Sequence, residues 1–190
     1  MTDQSNSALR IAFVADTMNT GSSGGVVAGS RFVDALRERH SVTVVGAQAY
    51  GDDSVVLPGF VVPLRAMQAM KFEMAYPVRK VLARAFADVD LVHLQFPFWL
   101  SLVALEEAHR AGRPVVAAFH IQPENLLENV GIHAAWLNDL VYREWISYHY
   151  DRAEAVLCPT GFAERKLRAH GLRAPTFVVS NGVPRDIVPR

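Results

Sequence analysis

"TMNTGSSGGVVAG" (residues 17–29) follows the apolar run "RIAFVA" (10–15) and leads into an amphipathic stretch. A glycine-rich turn between a buried strand and a helix brings backbone close to a ligand, often a phosphate. Beyond the turn, Val26, Gly29, Val33 and Leu36 share one helical face, with Arg37, Glu38 and Arg39 near its end. The stretch therefore reads as strand, ligand-facing turn and helix.

The rest of the chain repeats this alternation. "SVTVVGA" (41–47) is a second strand, and "SVVLPGFVVP" (54–63) a weaker extended segment broken by Pro58 and Gly59. Residues 65–86 read as helical, with an interruption near Pro77. "VDLVHLQ" (89–95) is a strand, 99–111 a helix ended by Gly112, and "RPVVAAFH" (113–120) another strand. Residues 133–152 read as a helix with Leu137, Val141, Trp145 and Tyr148 on one face. "AEAVLCP" (153–159) is a strand, after which Thr160 caps a helix to His170 that Gly171 ends. "PTFVVSNGV" (175–183) is the last strand and its turn.

Strands that are continuously apolar, alternating with helices, indicate a parallel sheet covered on both faces. The expected fold is α/β, a Rossmann-like doubly wound parallel sheet. Ligands in such sheets bind outside the carboxyl ends of the strands. The turns at 16–25, 46–53, 95–99, 120–132, 159–162 and 180–184 are therefore the places to look.

Composition narrows the function classes. The 190 residues carry 19 Lys plus Arg and 19 Asp plus Glu, so no overall basic excess argues for nucleic acid. Cys158 is the one cysteine, so no intrachain disulfide forms, and a reducing cytoplasm is the expected setting. Residues 1–9 are polar, lack signal-peptide features and are expected to be a disordered tail. No apolar run approaches the roughly 18 residues of a membrane span.

The glycine turn is not a dinucleotide site. It reads Gly21-Ser22-Ser23-Gly24-Gly25 rather than G-x-G-x-x-G, and no acid follows the second strand to hold a ribose. No Gly-Lys-Ser/Thr follows it, which excludes a Walker loop. The seven histidines show no spacing that suggests zinc.

Four motifs at strand ends carry a resemblance. They are Gly24-Gly25 after the first strand, His120 in "FHIQPEN" (119–125), Pro159-Thr160 before a helix, and Asn181-Gly182-Val183 at the last turn. In that order they resemble the N-terminal half of a GT-B-fold glycosyltransferase of the retaining family 4. The "HIQPEN" loop looks similar to the lipid-glycosylating branch. On this resemblance, residues 10–183 are an acceptor-side domain and 184–190 the start of an interdomain linker. The donor-binding domain, with its Glu-x7-Glu motif, would lie outside the chain.

The resemblance implies transfer of a sugar from a nucleotide-diphosphate sugar to an acceptor, with no metal and no other cofactor. Gly24 and Gly25 would face the diphosphate, and His120 would be the catalytic contact to the transferred sugar. Gln122, Glu124 and Asn125 could bind a carbohydrate or lipid acceptor, or simply form the turn after Pro123. Asp16 would sit near the acceptor or anchor the glycine turn. Thr160, Asn181 and Gly182 would line the cleft, with capping alone sufficient to account for Thr160. His93 reads more readily as a core polar partner.

Residues 65–86 hold Arg65, Lys71, Arg79, Lys80 and Arg84 against Glu73, interleaved with Met67, Met70, Phe72, Met74 and Phe86. That mixture suits the anionic inner face of a cell membrane. It equally suits a solvated helix with its methionines in the core. A non-catalytic α/β module holding a small polar ligand or a partner domain is the alternative function.

Overall fold

The strand ahead of the glycine turn is apolar at every position after its first, as a strand covered on both faces must be. In the computed structural model, which describes residues 7–18, 23–63, 72–129 and 131–181, this strand is β1 (Arg10–Val14). The chain continues through α1 (Gly24–Arg37), β2 (Ser41–Gly46), β3 (Ser54–Val56), β4 (Gly59–Phe60), β5 (Met74–Ala75), α2 (Arg79–Phe86) and β6 (Leu91–Leu94). It then forms α3 (Trp99–Arg110), β7 (Val115–Ala118), α4 (Pro123–Asn129), α5 (Ala135–Tyr148), a 3-10 turn (Tyr150–Arg152), β8 (Ala155–Cys158), α6 (Gly161–Ala169) and β9 (Thr176–Val178).

Seven strands form one sheet in the order β3-β2-β1-β6-β7-β8-β9, with every pair parallel. Ile11 and Phe13 pack with Val26 and Val33 of α1. Ala12 and Val14 pack in a second core with Leu82 and Phe86 of α2 and Leu100 and Leu105 of α3. Helices thus cover both faces, which is the Rossmann-like doubly wound α/β fold expected. The strand order reverses between β1 and β6, so the crevice opens at their carboxyl ends. Among the described residues no helix is long and apolar enough to cross a membrane.

The sheet is tight at this end. A Cβ on Gly46 would lie 2.0 Å from the carbonyl oxygen of Ala15. Backbone cannot yield by changing rotamer, so Gly46→Ala is expected to cost about 2–3 kcal/mol. Urea unfolding checks this, and an unchanged midpoint would show that β2 can move away from β1.

Three local expectations are corrected. Residues 74–75 are not helical. They form β5, which pairs antiparallel with β4 through Gly59↔Ala75 and Phe60↔Met74. Pro77 disfavours helical backbone before it, and α2 starts only after Val78, which is extended. Residues 64–71 lie outside the described residues. The helix expected at 133–152 ends at Tyr148 and gives way to the 3-10 turn. Its buried face carries Tyr142 and Ile146, while Tyr148 is exposed. Large apolar residues surround this helix, so periodicity alone did not select the stripe that packs. Finally, Leu9, assigned to the tail, is tied down: its N–H donates to His40 Nδ1 (3.2 Å) and its carbonyl accepts from Ser41 N (2.9 Å).

Candidate functional site

The site begins at the start of α1. Ser23 is extended, and its Oγ accepts from Val26 N at 3.4 Å, which caps the helix. Gly24 and Gly25 are its first two residues. Their N–H groups have no acceptor within the helix, and the positive end of the helix dipole lies there. The two glycines differ in what surrounds them. A Cβ on Gly25 would stand 3.0 Å from Phe96 Cε1 and 3.5 Å from His120 Cβ, whereas one on Gly24 would meet nothing within 4 Å. Gly25 allows α1 to pack closely beside His120, and Gly24 leaves open space. Gly21 and Ser22 lie outside the described residues.

That space is a cavity of about 380 Å³ at the carboxyl ends of the strands. Ser23, His120, Asn125 and Asn181 supply its polar side chains. Phe72, Phe98, Ile121, Leu126 and Pro159 supply apolar surface. The loops after β6, β7, β8 and β9 thus converge on the N-terminus of α1.

His120 follows β7. Burial pushes its imidazole down to about 4, so the ring is neutral at pH 7. Its Nε2 is buried and has no hydrogen-bond partner among the described residues, and the same holds for Asn181 Oδ1. Buried polar atoms are normally paired. Two such atoms on one cavity mark where ligand hydroxyls or amides would be satisfied.

The neighbouring histidine is structural. His93 is buried, stacks on Phe13 with ring centroids 4.4 Å apart, and is held down to about 4 by burial. Gln95 Nε2 donates to the carbonyl of Gly25 at 2.8 Å. Its Oε1 therefore faces His93 Nε2 at 3.2 Å, and that nitrogen carries the donated proton. The chain His93–Gln95–Gly25 fixes the height of the glycine turn above β6.

Other expected site residues lie elsewhere. Asp16 is fully buried and does not line the cavity. Its Oδ1 accepts from Ala75 N at 3.2 Å, which anchors β5, while Oδ2 is buried with no partner among the described residues. Burial pushes this carboxyl up to about 7. Glu124 also points away from the cavity. It pairs with Lys166 of α6 and accepts from Tyr142 Oη of α5 at 3.0 Å. Lys166 draws the Glu124 carboxyl below its usual range against the opposing effect of burial. This pairing clamps α4, which presents Asn125 and Leu126. Gln122 does not line the cavity, though its carbonyl accepts from Leu126 N at 3.3 Å. Thr160 is a cap whose Oγ1 accepts from Ala163 N at 3.1 Å, and Pro159 beside it lines the cavity. Gly182 lies outside the described residues.

Sequence reasoning missed Gln95, Phe98, Ile121 and Leu126. Gln95 carried a signal, a polar side chain closing an otherwise apolar strand. The apolar residues carried none, because each also reads as core.

The model of glycosyltransferase family 4 matches residues 23–187. No curated protein matches the chain in sequence. Among solved structures, the fold is similar to that of the Anabaena protein Alr3699/HepE. Its complex with UDP-glucose superposes with a TM-score of 0.64 at 18% identity, covering 92% of this chain and 44% of that one. Its complex with UDP gives a TM-score of 0.63 at 16% identity over 92% and 44%. The complex with UDP and glucose gives 0.59 at 16% identity over 92% and 45%. The chain thus spans less than half the length of these structures.

Proposed function

The chain belongs to glycosyltransferase family 4, and on that premise we propose that it is the acceptor-side half of a retaining, hexosyl-transferring GT-B enzyme. The bond from the anomeric carbon to the diphosphate oxygen breaks. A bond to the acceptor oxygen forms on the same face of the sugar, and the acceptor proton passes to the departing diphosphate. The N–H groups of Gly24 and Gly25 meet the growing negative charge of the diphosphate. The neutral His120 ring holds a hydroxyl of the transferred sugar, and Asn125 and Asn181 orient the substrates.

One observation carries this reading. A cavity joins the N-terminus of α1 to two buried polar atoms with no partner among the described residues, His120 Nε2 and Asn181 Oδ1. The main grip on ribose and diphosphate comes from a second domain outside this chain. The test assays the 190-residue chain, alone and completed by a donor-binding domain, with UDP-glucose first among several nucleotide sugars. Steady turnover is expected only from the completed enzyme, with donor affinity of the chain alone on the order of millimolar. Micromolar binding or turnover by the chain alone would refute the division of labour. Saturable ligand binding without turnover in the completed enzyme would favour a non-catalytic binding module.

Peripheral contact with an anionic membrane is part of the same proposal. Tyr76 and Trp99 are exposed and form an edge-to-face pair with centroids 5.0 Å apart. Exposed Lys80 and Arg84 lie close by in sequence on α2. Aromatic rings beside cations suit a headgroup region. Replacing both rings with serine is expected to cut co-sedimentation with anionic vesicles by about tenfold, and neutral vesicles should bind less from the start. Equal binding to both vesicle types, or none, would end the membrane reading.

A further inference from the structure

The cavity has chemically unequal walls. Its polar side chains are few and neutral: Ser23, His120, Asn125 and Asn181. The lining also holds Phe72 and Phe98, whose rings meet edge to face at 5.8 Å. Ile121 and Leu126 add aliphatic surface. Among the described residues no charged side chain lines the cavity. Glu124 is paired with Lys166 and Tyr142, and Asp16, which does not line the cavity, accepts from Ala75 N through Oδ1.

We infer that the acceptor is an uncharged alcohol carried on an apolar body, with its hydroxyl near His120 and Asn125 and its apolar part against Phe72 and Phe98. The inference rests on the glycosyltransferase reading and narrows it. A free hexose offers Phe72 and Phe98 no extended apolar surface to cover, whereas an apolar body joined to the hydroxyl-bearing group adds burial at about 25 cal/mol per Å². An acceptor carboxylate or phosphate fares worse. It would lose its hydration with no cation among the described lining residues, and the α1 N-terminus is already assigned to the donor diphosphate. An apolar body with one placed hydroxyl fits the usual pattern of such cavities, mostly apolar surface with a few orienting polar groups.

Both a soluble alkyl or aryl glycoside and a membrane glycolipid present this chemistry. Trp145 lies 6.4 Å from Phe98, centroid to centroid, so its fluorescence can report binding, with calorimetry beside it. The probes are octyl β-glucoside below its micellar concentration, glucose, glucose 6-phosphate, and a neutral glycolipid in zwitterionic vesicles. An apolar-bearing probe should bind at least about tenfold more tightly than glucose, and the phosphate should bind most weakly. Phe98→Ser should shrink the preference to about twofold at a temperature where the variant remains folded, with a lowered unfolding midpoint from lost packing, and Phe98→Leu should preserve the preference. Binding of monomeric octyl glucoside supports a soluble source, and binding from vesicles alone supports a lipid. Equal affinity for glucose, tighter binding of the phosphate, or a preference that survives Phe98→Ser would overturn the inference.

The outcomes separate the two readings. If the preference holds but the completed enzyme transfers sugar to no acceptor, the transferase reading fails and the ligand class stands. If glucose accepts sugar with the same kcat/KM as octyl glucoside, the ligand class fails and the transferase reading stands.

Discussion

Replacing His120 with alanine is expected to lower turnover of the completed enzyme by about 10²-fold or more, the usual cost of one positioned polar group in a water-poor site. The imidazole follows β7 directly, and its backbone stands within 3.6 Å of where a Cβ on Gly25 would lie. The α1 N-terminus and His120 are therefore positioned by the same packing. Nε2 has no partner among the described residues, so its removal breaks no hydrogen bond that this atom makes to them. Stability should change little, and the loss should appear in kcat. Asparagine keeps a donor and an acceptor and should recover part of the rate. Wild-type turnover in His120→Ala, measured with saturating donor, would remove this residue from the site.

Acid is expected to unfold the domain steeply. Burial holds His93 and His120 down to about 4 and His149 down to about 3, whereas the unfolded chain takes up these protons near 6.5. Across that window the unfolded state binds more protons, so stability falls as pH falls below 6.5. Asp16 acts in the opposite sense. Its carboxyl is raised from 3.8 to about 7, so the cost of its burial is relieved on acidification. Three histidines outweigh one carboxyl, with a net loss on the order of 4 kcal/mol between pH 7 and 4.5.

His149 offers a clean control. It is fully buried, and neither ring nitrogen has a partner among the described residues. His149→Phe should keep the packing against Tyr150 and make unfolding free energy less steep in pH. Urea titrations from pH 7.5 to 4.5 decide the matter. A stability independent of pH would show that these imidazoles take up protons in the folded state without cost.

Much of the fold was legible locally. Continuously apolar strands separated by amphipathic stretches gave the parallel sheet, because only strands covered on both faces carry that pattern. Helix ends were equally plain. Thr160 caps α6 as its position suggests, and Gly171 beyond it takes the left-handed conformation with φ +97. The glycine pair could be placed at a helix start beside a cavity because strand ends in such sheets open to one side.

Side-chain destinations were not legible. Glu124 and Asn125 read as neighbours in a polar loop, but they lie in the first turn of α4, and one pairs with Lys166 and Tyr142 while the other lines the cavity. Phe72 belongs to a stretch whose composition reads as helical, but it lines the cavity just ahead of β5. Asp16 closes a strand at the ligand end, and it is covered because β5 arrives from 59 residues away to meet it. The amino-acid sequence by itself determined the order of elements and which turns share the ligand edge, since both follow from short-range periodicity and the handedness of βαβ connections. The tertiary structure alone decided which polar groups are satisfied internally and which stay open to a ligand, because those pairings join segments whose local patterns carry no information about one another.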